Sequence, residues 1–151
     1  MNKYFIGWDV GAWHCDKNRN SRDAWYVLSD NKEFIAPKPF WGNCRKQILE
    51  SNSALKFLNT LFEKSELEFK GDDEVIIAID TPLGFPSALL KLLNGQTLGP
   101  DSLSLGFSKN PYLFRKTEMS LPKQKRPLSA VQDSIGAQAT KVIHFINKFG
   151  F

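Results

Sequence analysis

Apolar and polar positions along the chain follow two rhythms, and their order predicts strands early, a helix, a further strand, then helices. Residues 3–11 form an apolar run closed by Gly11 and read as a buried strand. The polar stretch 14–23 reads as a loop. Residues 24–29, rich in aromatic and branched side chains, read as a second strand. Asp30, Asn31 and Lys32 supply turn chemistry, so a third strand is expected over 33–36 in a hairpin. Pro37 and Pro39 then interrupt the ladder and place that strand's end near an edge.

Across 48–66, Leu55, Leu58, Leu61 and Phe62 recur at helical spacing while Lys56, Glu63 and Lys64 supply a wet face. Gly71, Asp72 and Asp73 stop that helix. Residues 74–80 are almost continuously apolar, as in a strand covered on both faces. Strand, helix and strand in succession predict a crossover and a parallel pair, hence an α/β fold. A short helix is expected over 85–93 with Pro86 in its first turn. A long loop follows over 94–111, a candidate mobile segment above a site. A last helix is expected to open at Ser129, with Gln132 completing a capping box, and to carry the stripe Val131, Ile135, Ala139, Val142, Ile143 and Ile146. No repeat, low-complexity tract or linker divides the chain, so a single domain over 1–151 is expected.

The hydrophobic fraction of 42% and charged fraction of 24% are those of an ordinary globular protein, which excludes disorder as the starting reading. No run of about 18 apolar residues is present, so no membrane span is expected. The N-terminus reaches charge too early for a signal peptide, and a cytoplasmic location follows by default. Cys15 and Cys44 have no metal-type spacing and are expected to be reduced thiols. The formal net charge of +4 favours a polyanionic partner only slightly. More telling is its clustering, with Arg115, Lys116, Lys123, Lys125 and Arg126 in one short stretch against the single acid Glu118.

Three constellations carry candidate chemistry. Asp9 lies in an apolar strand between Gly7 and Gly11; burying a carboxylate there is costly unless it is paired or bound to a cation. The alternative is that Asp9 caps the turn after the strand. Asp80 ends the clearest strand, ahead of Thr81, Pro82, Leu83 and Gly84, at the strand terminus where open α/β sheets bind ligands. A plain Asp-Thr-Pro turn carries equal weight for Asp80 in isolation. Were the two strands neighbours, both carboxylates would reach one cation, and hard oxygen donors suit magnesium or manganese. In the third segment, Arg115 offers a bidentate fork for phosphate, while Glu118 reads either as a ligand or as the partner that orients Arg115. Asp133, in the first turn of the last helix, is favoured there by the helix dipole. His14 reads as a surface-loop residue and His144 as structural.

Taken together, Gly7-Trp8-Asp9, the Ile-Asp-Thr-Pro-Leu-Gly segment ending at Gly84, the Arg-Lys-Thr-Glu segment ending at Glu118 and the Pro-Leu-Ser to Ile-Gly stretch ending at Gly136 resemble the predicted ribonuclease H-like nucleases. The resemblance covers nearly the whole chain. It implies three antiparallel strands continued by parallel ones and flanked by helices. It also implies a two-metal phosphodiester hydrolysis site with Asp9 and Asp80 as metal ligands for Mg²⁺ or Mn²⁺ and Glu118 as a further catalytic acid, although the family often has aspartate at that last position. Arg115, Lys116, Lys125 and Arg126 are the expected phosphate-binding residues, with nucleic acid as the partner. Such domains normally continue with another strand and an acid-bearing helix beyond the point where Phe151 ends this chain. The expectation is therefore a fold shortened at its C-terminus, or one completed by a second copy. Two other functions compete with a nuclease. One is a non-catalytic binding module on the same fold. The other is an actin-like phosphotransferase, which would need a glycine-rich phosphate loop that the sequence lacks.

Overall fold

A computed structural model describes residues 1–15, 22–103, 106, 109–121 and 128–151, with Asp133 and Ser134 described by backbone alone. The chain forms two compact units, one of residues Met1–Thr81 with Thr140–Phe151, the other of Pro82–Ala139. The first holds a four-stranded mixed sheet built from β1 (Lys3–Asp9), β2 (Asp23–Leu28), β3 (Phe40–Gly42) and β4 (Glu74–Asp80). The strand order is β3-β2-β1-β4. β1 pairs antiparallel with β2, which pairs antiparallel with β3, whereas β1 and β4 run parallel. The α/β class with one parallel pair thus stands as expected.

Alternation along the strands decides which face is buried. Ile6 and Trp8 of β1 and Trp25 and Val27 of β2 point into one core, where they meet Ile48, Phe57, Leu61 and Phe62, and also Val142 and Phe145. Those partners come from helices α1 (Arg45–Glu50) and α2 (Ala54–Lys64) and from the C-terminal half of a long helix, Asp133–Phe149. Aromatic rings dominate the centre, with Trp8 edge-on to Phe145 at 5.2 Å and Phe57 against Phe145 at 5.0 Å. Truncating such a ring to alanine typically costs about 3–5 kcal/mol. The opposite sheet face carries Phe5, Gly7 and Asp9 beside Ile76, Ala78 and Asp80. Here Tyr26 and Ile76 are exposed. β4 therefore alternates exposed and half-buried positions; its apolar run reflects an open face and not cover on both sides.

Three element boundaries differ from expectation. The third strand lies after the prolines, not before them. Residues 33–36 contribute only a bridge between Phe34 and Leu28, and prolines without N–H groups cannot extend that ladder. The single helix expected over 48–66 is two, because Ser51 is extended and the Ser53 side chain accepts from Lys56 N at 3.1 Å, capping a new helix. The last helix opens at Asp133, not Ser129. Ser129 Oγ instead donates to the Leu113 carbonyl at 2.6 Å and accepts from Val131 N, a local turn that competes with a capping box.

In the second unit, α3 (Ser87–Leu93) ends in a Schellman motif around Gly95, whose φ of 79° suits glycine. Gly95 N donates to the Leu92 carbonyl and Gln96 N to the Lys91 carbonyl. The stretch 94–111 is not wholly irregular, since α4 (Pro100–Leu103) lies within it. α5 (Lys116–Met119) and the start of α6 (Asp133–Phe149) follow.

Candidate metal centre on the open sheet face

β1 and β4 are paired in parallel with Asp9 directly opposite Asp80, each the last residue of its strand. Neighbouring strands lie about 4.8 Å apart, and direct partners in a ladder project to the same face. The two carboxylates are therefore side by side on the face that carries none of this unit's core. A one-residue slip of β4 would have sent Asp80 into the core side. Gly7 and Ala78 lie two residues back on the same two strands and form a floor. Together with Tyr26 they line a shallow depression of about 410 Å³ that includes both acids. A Cβ added at Gly7 would meet no atom within 4 Å, so the space above it is open.

Charge in this depression is of one sign. The Asp9 carboxyl is held above its ordinary range, first because part of it is buried against the sheet, then because Asp80 repels its charge, with Asp23 adding to that repulsion. Neither Asp9 nor Asp80 has a basic ion-pair partner among the described residues. Two adjoining hard-oxygen donors with unbalanced negative charge suit a small divalent cation. Magnesium commonly uses one or two carboxylates and keeps water or substrate oxygens at its other positions. No group of three or more acidic, histidine or cysteine side chains that could hold a metal occurs among the described residues.

Behind the end of β1 lies a buried network that sequence reasoning missed. Asp23, fully buried, accepts from Trp8 Nε1 at 3.0 Å, Gly11 N at 2.8 Å and Cys44 N at 2.7 Å, and pairs with Lys141 Nζ. Lys141, also fully buried, further donates to the carbonyls of Gly11 at 3.2 Å and Ala12 at 3.4 Å and to Asn43 Oδ1 at 3.4 Å. This clamp fixes the chain as it leaves Asp9. Its one sequence signal was Lys141 standing four residues before Phe145, one helical turn from an apolar ring.

No family model, curated protein or solved structure matches the chain. The site must be judged on its own chemistry.

Each of the remaining candidates has its own surroundings. Arg115 and Glu118 belong to the other unit, where Glu118 is mostly buried. Glu118 accepts from Arg115 N at 2.6 Å and Nε at 2.7 Å, and pairs with its terminal guanidinium nitrogen. Burial alone would raise its carboxyl, but these hydrogen bonds and the Arg115 charge outweigh that and hold it lowered. Of the two readings of Glu118, this contact is that of a partner orienting Arg115. Lys116 opens α5 and is exposed. Lys125 and Arg126, with Lys123, lie outside the described residues, and Asp133 is the first residue of α6. His14 is exposed beside the Arg45 guanidinium, while the His144 ring packs at 5.6 Å from Trp13. Cys15 and Cys44 are buried free thiols, both pushed up first by burial. No described helix is long and apolar enough to cross a membrane.

Proposed function

We propose that the protein is a divalent-metal-dependent nuclease of the ribonuclease H-like kind, hydrolysing phosphodiester bonds in DNA or RNA, with Asp9 and Asp80 as its metal ligands. The observation that carries this reading is the register that sets the two carboxylates side by side on an open face. A strand order of three antiparallel strands continued by a parallel one supports it, because that is the architecture the sequence resemblance implies. A bound Mg²⁺ or Mn²⁺ would supply Lewis acidity toward a phosphoryl oxygen and a more acidic water. Asp9 and Asp80 would hold it. Gly7 and Ala78 leave a flat floor over which a phosphodiester can approach. The Asp23–Lys141 clamp keeps the end of β1 from yielding to the repulsion between the acids. Arg115, held in shape by Glu118, and Lys116 are assigned to phosphate binding.

Asp9→Asn tests the assignment. Magnesium-dependent cleavage of labelled DNA and RNA should fall to background while the circular dichroism spectrum and melting transition persist. Cleavage equal to wild type would end the nuclease reading. The second reading, a non-catalytic module on the same fold, is favoured by the pair standing without a third acid among the described residues. It would show nucleic-acid binding with no metal-induced change in melting temperature.

A further inference from the structure

The net charge of the chain is unevenly placed. Residues Pro82–Ala139 hold seven basic and three acidic side chains, whereas the rest of the chain holds thirteen of each. The whole formal excess of +4 thus belongs to the second unit. Within that unit two depressions of about 360 and 410 Å³ share Ser87, Ala88, Pro111 and Met119 in their linings, so they adjoin and together make one grooved surface. Lys91 and Lys109 line one end; Arg115 and Lys116 line the other. Among the described residues, no acidic side chain lines either part.

We propose that this groove is a track for the backbone of single-stranded nucleic acid, with Lys91 and Lys109 as phosphate-binding residues that extend the Arg115–Lys116 end. The proposal deepens the nuclease reading and rests on its substrate class. Lys91 and Lys109 have no ion pair among the described residues, so their charges are available to a ligand. Their backbones are held in place: the Lys91 carbonyl is capped by Gln96 N at 3.0 Å, and Lys109 N donates to the Gly106 carbonyl at 3.1 Å. Arg115 is oriented by Glu118. Four cations spread along a groove, and not gathered at one point, suit a polymer of phosphates better than a single phosphate group. The wall between them is apolar, formed by Ala88, Pro111, Met119 and the half-buried ring of Phe85. Such a wall accepts the flat faces of unpaired bases, which a duplex keeps stacked inside.

The test uses the full chain in EDTA and a fluorescein-labelled single strand of mixed sequence, followed by anisotropy across a salt series. Each phosphate contact on a single strand contributes a slope of about 0.7 in log K against log salt. The double variant Lys91→Glu/Lys109→Glu should lower the slope by about 1.4 and weaken binding by at least about 20-fold at 0.1 M salt. Both side chains are exposed, so the variant should melt as wild type does. Unchanged affinity and slope would overturn the proposal, as would tighter binding of a duplex of equal length. Equal displacement of the strand by millimolar inorganic phosphate and by an equal phosphate concentration of unlabelled strand would also overturn it. Failure here is separable from failure of the nuclease reading. Asp9→Asn should lose cleavage and keep this binding in EDTA, while the double variant should weaken that binding and raise the strand concentration needed for half-maximal cleavage.

Discussion

Replacing Asp80 by asparagine removes one of two adjoining charges with little change in shape, and it should stabilise the metal-free protein. Two unit charges about 5 Å apart repel by about 0.8 kcal/mol at the dielectric constant of water and about 3.3 kcal/mol at an effective value of 20. Solvent reaches both carboxylates, so screening holds the figure near the lower limit, about 1 kcal/mol. In a chain of 151 residues this corresponds to a melting temperature higher by about 2–4 °C in EDTA. The pH dependence has a definite sign. Asp9 is raised in the fold, so between the ordinary value of 3.8 and its folded value the native state holds a proton that the unfolded chain has released. Its penalty on stability is therefore full above the folded value and fades as pH falls through it. Asp80→Asn removes the second of the causes raising Asp9 and narrows that window. Saturating magnesium or manganese should reverse the ranking. A cation at 100 times its Kd adds about 2.7 kcal/mol to the wild type, and most of that should vanish in the variant. Differential scanning fluorimetry in EDTA and in each metal, repeated across pH 3–8, reads all of this. A variant that melts lower than wild type in EDTA, or one that metal stabilises equally, would refute the paired-carboxylate geometry.

Three further outcomes follow from the same contacts. Lys141→Met leaves the buried Asp23 carboxylate without its counter-ion and strips a donor from the Gly11 and Ala12 carbonyls, so urea denaturation should show a loss of about 3–5 kcal/mol; a loss under 1 kcal/mol would mean the clamp contributes little. Glu118→Gln breaks a mostly buried charge-assisted pair and should cost about 1.5–3 kcal/mol at neutral pH. Because the Glu118 carboxyl is lowered in the fold, its contribution is present above the ordinary 4.5 and lost as pH falls through the folded value, so wild type and variant should converge in acid; a constant gap across that range would contradict the pairing. A Cβ at Gly7 meets no atom within 4 Å and valine suits a strand, so in Gly7→Val stability should hold or rise while cleavage is lost through filling of the depression; cleavage at the wild-type rate would remove that depression from the site.

Local pattern was enough for the strands at residues 3–9, 23–28 and 74–80, since apolar and β-branched runs bounded by turn residues need little from elsewhere. It was enough, too, to single out Asp9 and Asp80, because a charge ending an apolar strand stands out against its neighbours. It did not locate β3, whose three residues follow two prolines and are selected by pairing with Asp23–Trp25 rather than by their own propensity. Nor did it divide α1 from α2, where one serine cap outweighs a continuous apolar stripe. Asp23 and Lys141 are 118 positions apart, and neither residue's surroundings in sequence announce that burial will join them. The parity that sets Asp9 beside Asp80, and not across the sheet from it, comes from the register of β1 against β4. That register is decided by which side of each strand must be buried against Phe57, Phe145 and their neighbours, a choice made by the assembled core and not by any segment alone.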